Sequence, residues 1–236
     1  MFDDDYEVVL ADTAESLREH FRLRYLVYCL ENGYEDPRQF PDAQERDAHD
    51  SHSSHFLVRC KRTGRWVATL RLVLPEAGIL PIQRHGVLDK NTQRLIKDGL
   101  VAEVSRVCHY RGDLGYRRLH QGGTQRNTRA DDTGVMFGLL RAAFFYCLER
   151  DIEHLLFLIR PAMARLVGRM SIELRCAGHG CEHRGTRYPY AADLRAVFAT
   201  VAQDAPDVAA QIRPVLAYRR HSEIGRAREL PLLMAS

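Results

Sequence analysis

Charged side chains lie inside segments of this sequence that are otherwise apolar, and their types and spacing suggest chemistry. Arg24 falls in the apolar stripe of the first predicted helix, and Arg71 lies on a strand face that borders the predicted core. Glu103 and Arg106 lie in an apolar strand at 101–107. Because an unpaired charge is very costly to bury, each of these groups needs a partner.

The acids that could balance three buried arginines are concentrated in one short segment. Residues 45–50 read Glu-Arg-Asp-Ala-His-Asp and offer Glu45, Asp47 and Asp50. We expect the arginines and these carboxylates, together with Glu103, to meet in one cleft. Clustered charges shift each other's pKa values and form a polar pocket for a zwitterionic or cationic small molecule. Separate surface ion pairs are the alternative explanation for any single member.

The elements that must position these residues alternate in the order β-α-β-β-(α)-β-α-β-α-β, which predicts an α/β fold. The predicted strands are 6–10, 55–60, 66–74, 101–110, 155–159 and strand-like residues around 172–183. The predicted helices are about 13–29 (capped by Asp12 or Thr13), 92–97, 134–150, 161–170, 191–202 and 206–219. We expect strands 101–110 and 155–159 to be parallel neighbours that diverge, with a helix packed between them through Leu140, Phe144 and Phe145.

Composition places the chain among globular proteins. Its 236 residues are 45% hydrophobic with a net charge of +3, and no run is long enough to span a membrane. We expect one domain over 1–236, with a helical C-terminal extension from about 191. The acidic start of the chain and six scattered cysteines predict a cytoplasmic location. The slight net charge, and loop arginines without interleaved aromatic residues, argue against nucleic-acid binding.

Several ordered motifs resemble a known signature. Those motifs are Arg24-Tyr25-Leu26-Val27-Tyr28, Gly33-Tyr34, Glu45-x-Asp47-x-x-Asp50, Arg71-Leu72 and Glu103-x-Ser105-Arg106. They resemble the acyl-homoserine-lactone (autoinducer) synthases, which have the GNAT fold. Two later motifs are similar to the acyltransferases associated with PEP-CTERM/exosortase systems, which also resemble N-acyl amino acid synthases: Arg160-Pro161-x-x-x-Arg165-Leu166 and Gly180-x-x-x-x-Gly185-x-Arg187-Tyr188-Pro189-Tyr190.

The resemblance implies a GNAT-like mixed sheet flanked by helices, and an N-acyltransferase. The expected reaction moves a long-chain acyl group from an acyl carrier protein, or from coenzyme A, to the amine of an amino-acid-like acceptor. Tyr28 and Tyr34 stand where autoinducer synthases usually have Phe and Trp, so the acceptor is open. The alternatives are an acyl-homoserine-lactone synthase that uses S-adenosylmethionine, and a non-catalytic module that binds a small ligand or a carrier protein.

Each candidate residue then has an expected role. The catalytic candidates are Glu103, Glu45 and Arg106, with either glutamate as the general base. Arg71 or Arg24 is the candidate clamp for a substrate carboxylate. The other expected substrate-binding residues are Tyr28, Tyr34, Asp47, Asp50 and Ser105. Because Glu103 and Arg106 are three residues apart, only a bulge in their strand would bring both to one site.

The donor is expected to be an acyl-phosphopantetheine thioester, with no tightly bound cofactor. The loop at 111–133 begins Arg-Gly-Asp-Leu-Gly-Tyr-Arg, a degenerate form of the glycine-rich loop that grips coenzyme A. Arg111, Arg117 and Arg118 in that loop suit an acidic acyl carrier protein. A solvated arginine-rich loop without a partner is the alternative.

Four potential zinc ligands lie close together near the end of the chain: Cys176, His179, Cys181 and His183. On a regular strand Cys176 points away from the other three, so one short strand cannot wrap them around a metal. A knuckle at Gly178 and Gly180 is the alternative. The sequence therefore predicts no metal site.

Overall fold

The computed structural model describes residues 2–110, 128–204 and 217–226. The strands are Tyr6–Leu10 (β1), Ser53–Cys60 (β2), Trp66–Val73 (β3), Val101–His109 (β4), His154–Ile159 (β5), Arg175–Cys176 (β6), Cys181–Glu182 (β7), Thr186–Asp193 (β8) and Arg219–Arg220 (β9). The helices are Phe2–Asp5 (α1), Ala14–Arg24 (α2), Lys90–Lys97 (α3), Thr128–Leu148 (α4), Pro161–Gly168 (α5), Leu194–Asp204 (α6) and His221–Arg226 (α7). Among the described residues no helix is long and apolar enough to cross a membrane.

The strands form one mixed sheet in the order β6-β8-β5-β4-β3-β2-β1-β9, with β7 added beside β8. Strands β1 to β4 pair antiparallel, β5 runs parallel to β4, and β8 returns antiparallel to β5. The expected α/β mixed sheet flanked by helices is therefore confirmed.

Strands β4 and β5 separate part of the way along. Their pairing runs from Val101 opposite His154 to Val104 opposite Phe157 and stops there, although β4 continues to His109. The predicted divergence of these parallel neighbours is therefore confirmed. It leaves an opening between the carboxyl ends of the two strands.

The two faces of the sheet have different surroundings. One face packs on α4 through buried residues such as Phe56, Leu70 and Leu155, and Leu140 of α4 is buried in the same cluster. Phe145 of α4 is buried as well. Phe144 packs against that cluster from its edge, as expected. On β3 and β4 the opposite face carries Arg71 and Glu103, which alternation along each strand separates from the α4 face.

The first helix begins as predicted but changes geometry near its end. Thr13 caps α2, and its side-chain oxygen accepts a hydrogen bond from the N–H of Ser16. The regular α-helix ends at Arg24, and Tyr25–Glu31 continues as a π-helix. Such wider turns are common near functional sites. The hairpin turn at Thr63-Gly64 is also present, with Gly64 at a φ of 70°.

The prediction was wrong around the last strands. Only Arg175–Cys176 and Cys181–Glu182 of the segment 172–183 are strands, and β8 at Thr186–Asp193 was missed. Pro189 concealed β8, because proline is rare inside strands; here its carbonyl accepts from the N–H of Ala177. Consequently the helical C-terminal region begins at Leu194, not at about 191. Most of the predicted helix 206–219 lies outside the described residues.

Candidate active site

Arg24 forms the buried base of a charged network. Its Nε donates to Glu45 Oε2 at 2.5 Å, and its two terminal nitrogens donate to the two oxygens of Asp50 at 2.6 and 3.2 Å. The Arg24 side chain is 0% exposed. The buried residues of α2 are Ser16, His20, Leu23 and Arg24, so the helix face that carries Arg24 is mostly polar and is not the apolar stripe that the sequence predicted. Arg24 is therefore compensated by two carboxylates that follow α2 in sequence.

Arg71 continues the network from β3. Its Nε donates to Ser105 Oγ at 2.9 Å, and Nη1 donates to Asp47 Oδ1 at 2.6 Å and Asp50 Oδ1 at 3.1 Å. Asp50 Oδ1 therefore accepts from both Arg24 and Arg71. Ser105 faces Arg71 in the β3–β4 register, which sets this contact.

Arg106 closes the network from a bulge on β4. Thr69 lies opposite Cys108 and Arg71 lies opposite Ser105, so two residues of β4 face Leu70. Arg106 has a left-handed φ of 50°, and its terminal nitrogen Nη2 donates to Glu45 at 3.0 Å and Asp47 at 3.1 Å. The bulge inferred from the spacing of Glu103 and Arg106 is present.

Glu103 lies beside the network but has different partners. Its Oε2 accepts a hydrogen bond of 2.8 Å from the backbone N–H of Ile82, and its side chain is buried. Burial raises the pKa of Glu103 to about 7, more than the Ile82 hydrogen bond and the charges of Arg71 and Arg106 lower it. A carboxyl group of this pKa exchanges protons near neutral pH.

The other network carboxylates are held as anions. Burial alone would raise the pKa of Glu45, but the charges and hydrogen bonds of Arg24 and Arg106 hold it below the usual range. Burial also acts to raise the pKa of Asp50, but the charges of Arg24 and Arg71 outweigh burial and lower this pKa to about 2. Of the two glutamates that the sequence left open as general base, Glu103 has a pKa near neutral and Glu45 has a pKa below its usual range.

Two buried histidines support the loop that carries the acids. His55 Nε2 lies 3.2 Å from the backbone carbonyl of Asp50, and His55 Nδ1 lies 3.2 Å from Nε2 of His20. Because a carbonyl can only accept, Nε2 of His55 carries the hydrogen and Nδ1 accepts from His20. Burial lowers the pKa of His55 to about 4, so this pair is neutral at ordinary pH. His20 was not singled out from the sequence.

Two tyrosines form the aromatic side of the site. Tyr28 donates its hydroxyl hydrogen to the carbonyl of Val107 at 3.2 Å, and the Arg106 guanidinium lies 5.4 Å from its ring centre. Tyr34 is 6.2 Å from Tyr28 between ring centres and is partly exposed. Both predicted substrate-binding tyrosines therefore lie beside the charged network.

Glu35 and Arg184 join the site although the sequence reasoning missed them. Arg184 forms an ion pair with Glu35 and lies over the Tyr34 ring at 5.3 Å, and Glu35 is 3.6 Å from Arg106. Glu35 directly follows Tyr34, and Arg184 falls inside the Gly180–Gly185 motif spacing. The closeness of Glu35 and Arg184 to these motif residues is the sequence signal that could have identified them.

The network leaves the predicted carboxylate clamp occupied. Donors of both Arg24 and Arg71 are already bonded to carboxylates of the chain, and both side chains are nearly fully buried. The expectation that one of them grips a substrate carboxylate stays a prediction. Their guanidinium groups also fix Glu45, Asp47 and Asp50.

Cys108 lies near the network without the features of a nucleophile. It is buried, its sulfur is 3.1 Å from the Thr69 hydroxyl, and burial raises the pKa of the thiol to about 11. A thiol of this kind is rarely ionised at neutral pH. Within the described residues no group of His, Cys, Asp and Glu is placed to hold a metal ion.

An apolar cavity of about 260 Å³ lies on the other face of the sheet, between α4, β5 and α6. Its lining includes Leu140, Phe144, Phe157, Met170 and Val197. Phe157 is the last β5 residue that pairs with β4, so the cavity borders the point where the strands separate. The predicted donor-binding arginines Arg111, Arg117 and Arg118 lie outside the described residues.

Comparisons with known proteins identify the fold. Residues 23–119 match the family described as Acetyltransferase (GNAT) domain. None of the curated proteins matches the sequence significantly. The solved structure of TofI, in a ternary complex with an inhibitor and MTA, has a TM-score of 0.56 and 18% identity, over 89% of this chain and 99% of that chain.

Two further solved structures are similar. BjaI, a CoA-dependent acyl-homoserine lactone synthase solved with SAM and isopentyl-CoA, has a TM-score of 0.55 and 16% identity, over 84% of this chain and 88% of that chain. FeeM, an N-acyl amino acid synthase from uncultured soil microbes, has a TM-score of 0.54 and 13% identity, over 84% of this chain and 96% of that chain. The chain therefore has the GNAT fold.

Proposed function

We propose that the protein is an N-acyltransferase that moves a long-chain acyl group from a thioester to the amine of an amino-acid-like acceptor. The observation that carries the proposal is Glu103, a buried carboxyl group with a pKa of about 7, beside an arginine–carboxylate network and a bulged strand. Similarity to an N-acyl amino acid synthase and to acyl-homoserine lactone synthases supports the same class.

Glu103 acts as the general base in this proposal. The acceptor nitrogen loses a proton to Glu103, directly or through one water, as it attacks the thioester carbonyl carbon. A carbon–nitrogen bond forms, the tetrahedral intermediate collapses, and the carbon–sulfur bond breaks. The proton then passes to the departing sulfur, which leaves as a thiol. A base of near-neutral pKa contributes roughly 10²–10⁴-fold to such a step.

The bulge on β4 supplies the oxyanion site in this proposal. Arg106 and Val107 together face Leu70, so the regular hydrogen-bond ladder is interrupted there. The carbonyls of both residues accept from side chains, Thr69 at 3.0 Å and Tyr28 at 3.2 Å, which fixes the bulge. A backbone N–H at this point would stabilise the negative charge that develops on the thioester oxygen.

The opening between β4 and β5 receives the donor. The apolar cavity beside Phe157 suits the acyl chain, because most of its lining is aliphatic and aromatic, with Arg141, Arg169 and Ser171 as the polar members. We infer an acyl carrier protein as the partner that delivers the phosphopantetheine thioester, with coenzyme A as the alternative carrier. Arg111, Arg117 and Arg118 remain the predicted contacts for that partner.

Acyl-homoserine-lactone synthesis with S-adenosylmethionine is the second candidate, favoured by the order of the motifs from Arg24 to Arg106. A non-catalytic binding module is less well supported, because it has no use for a buried carboxyl group that titrates near neutral pH. The late motif around Arg187 supports a place among acyltransferases of PEP-CTERM/exosortase systems. The six free cysteines support a cytoplasmic location.

Thiol release tests the proposal. Purified protein is given a long-chain acyl carrier protein, or the matching acyl-coenzyme A, with each of the standard amino acids and S-adenosylmethionine in turn. We expect release that depends on an amino acid and is lost in Glu103→Gln. The control is Glu173→Gln, an exposed glutamate on the same chain. Release with S-adenosylmethionine alone would favour the second candidate, and carrier-protein binding without release would favour the binding module.

A further inference from the structure

Arg187 is a half-buried arginine whose charge is not compensated by any carboxylate in the described part of the chain. Its Nε is buried and has no hydrogen-bond partner there, and its Nη1 reaches the Leu158 carbonyl at a long 3.4 Å. A guanidinium group presents several donors in a fixed fork, so an open Nε is costly unless a ligand fills it.

The surroundings of Arg187 are themselves cationic. Burial lowers its pKa, and the neighbouring charges of Arg184 and Arg160 lower it further. Arg184 is paired with Glu35, but Arg160 forms no ion pair within the described residues. This part of the molecule therefore carries unmatched positive charge.

The fold places Arg187 on the same face as the charged network. Along β8, Ala191 packs on the network side of the sheet and Tyr190 packs on the α4 side. Because side chains alternate between the two faces along a strand, Arg187 lies on the same face as Ala191. Tyr188 lies opposite Ile159, so Arg187 comes at the carboxyl end of β5, where β4 and β5 have already separated. Tyr28 and Tyr34 are close enough to Arg187 to interact with it electrostatically.

The charged network has no excess positive charge. Arg24, Arg71 and Arg106 are matched by the three anionic carboxylates Glu45, Asp47 and Asp50. An additional carboxylate bound beside Tyr28 and Tyr34 therefore finds its counter-charge at the end of β8, and not in the network.

We propose that Arg187, assisted by the charge of Arg160, binds the carboxylate of the amino-acid-like acceptor. The inference rests on the proposed function for the identity of that acceptor. Nε and a terminal nitrogen of Arg187 form the two parallel hydrogen bonds that a carboxylate accepts from a guanidinium fork. The acceptor amine then points away from Arg187, towards Glu103 and the β4 bulge.

Binding measurements test the site without turnover. Each standard amino acid and its methyl ester, which lacks the carboxylate, is titrated into the wild type, Arg187→Gln and Arg187→Lys by calorimetry. The matched control is Arg94→Gln, because Arg94 is 82% exposed on α3. Pantetheine 4′-phosphate and pantetheine are titrated as well, since the donor phosphate is the other anion that could occupy Arg187.

We expect the wild type to bind at least one amino acid and to bind its methyl ester more weakly. Arg187→Gln should weaken the binding of the amino acid by about 10- to 100-fold and leave the binding of the ester unchanged, since charge-assisted hydrogen bonds to the carboxylate are lost. Arg187→Lys should recover part of the loss. If Arg187→Gln does not fold, the test uses Arg187→Lys alone. Weaker binding of the amino acid by that variant, with unchanged binding of the methyl ester, then supports the site.

Three results would overturn the assignment: no amino acid bound by the wild type, equal loss for acid and ester, or loss only for pantetheine 4′-phosphate. The last would assign Arg187 to the donor. Amino-acid binding that depends on Arg187, in a protein that releases no thiol with any acceptor, would support this site while refuting the proposed reaction.

Discussion

Replacing Glu103 with glutamine isolates the protonation of the buried carboxyl group. Glutamine has nearly the same shape, and its side-chain oxygen can still accept the 2.8 Å hydrogen bond that Ile82 N–H donates. The substitution therefore removes a proton-binding group with little change in packing. Any pH-dependent difference in stability between the two proteins then reports on Glu103.

The size of that difference follows from the pKa. Burial raises the pKa of Glu103 from 4.5 to about 7 on folding. Because the folded state holds the proton more tightly, Glu103 stabilises the fold below its unfolded pKa, and this stabilisation is lost as the pH rises through about 7. Between about pH 5 and about pH 8 the wild type should lose about 2–3 kcal/mol relative to Glu103→Gln, at about 1.4 kcal/mol per pKa unit.

Urea unfolding of both proteins across that pH range provides the assay, with Glu173→Gln as the exposed control. We expect the stability difference between Glu103→Gln and the wild type to grow with pH, while the control follows the wild type. The turnover of the wild type should fall on the acid side of about pH 7, where Glu103 binds its proton. A stability difference that is constant with pH would refute the assignment of Glu103 as a near-neutral group.

Three more outcomes follow from the network. Arg24→Met should cost about 3–5 kcal/mol of stability in urea unfolding, because Glu45 and Asp50 lose a buried partner; a loss as small as that of Arg94→Met would contradict this. Cys108→Ala should retain full thiol-release activity, because the buried thiol is not ionised; loss of activity in a folded variant would indicate a covalent role. Asp50 stabilises the fold above its unfolded pKa of 3.8, and this stabilisation is lost as the pH falls through about 2. Asp50→Asn should therefore make the acid unfolding transition, followed by circular dichroism, less steep. An unchanged acid transition would count against the pairing.

The sequence predicted the charged network because arginines lie inside segments that are otherwise apolar. Arg71 interrupts an apolar strand face, and its burial requires carboxylates nearby. The bulge was also predictable, because Glu103 and Arg106 have a spacing that a regular strand cannot bring to one site. Both features follow from the periodicity of side chains within a single strand or helix, which is visible in the local sequence.

The features that were missed depend on contacts between distant segments. Strand β8 contains Pro189 and is recognised through its pairing with β5, which local propensity does not show. The contact of Arg184 with Glu35 joins residues far apart in sequence. The occupied donors of Arg24 and Arg71, and the open Nε of Arg187, are visible only once all partners are in place. Residue type alone does not show which donors of an arginine are already paired.

The mass of the product is the decisive test of N-acyl transfer by this protein. Purified protein, long-chain acyl carrier protein and the amino acid that releases most thiol are incubated together, and the small-molecule fraction is analysed by mass spectrometry. We expect a compound whose mass is that of the amino acid plus the fatty acid less one water, and we expect it to be absent with Glu103→Gln. Free fatty acid as the only acyl product, formed equally well without the amino acid, would contradict N-acyl transfer.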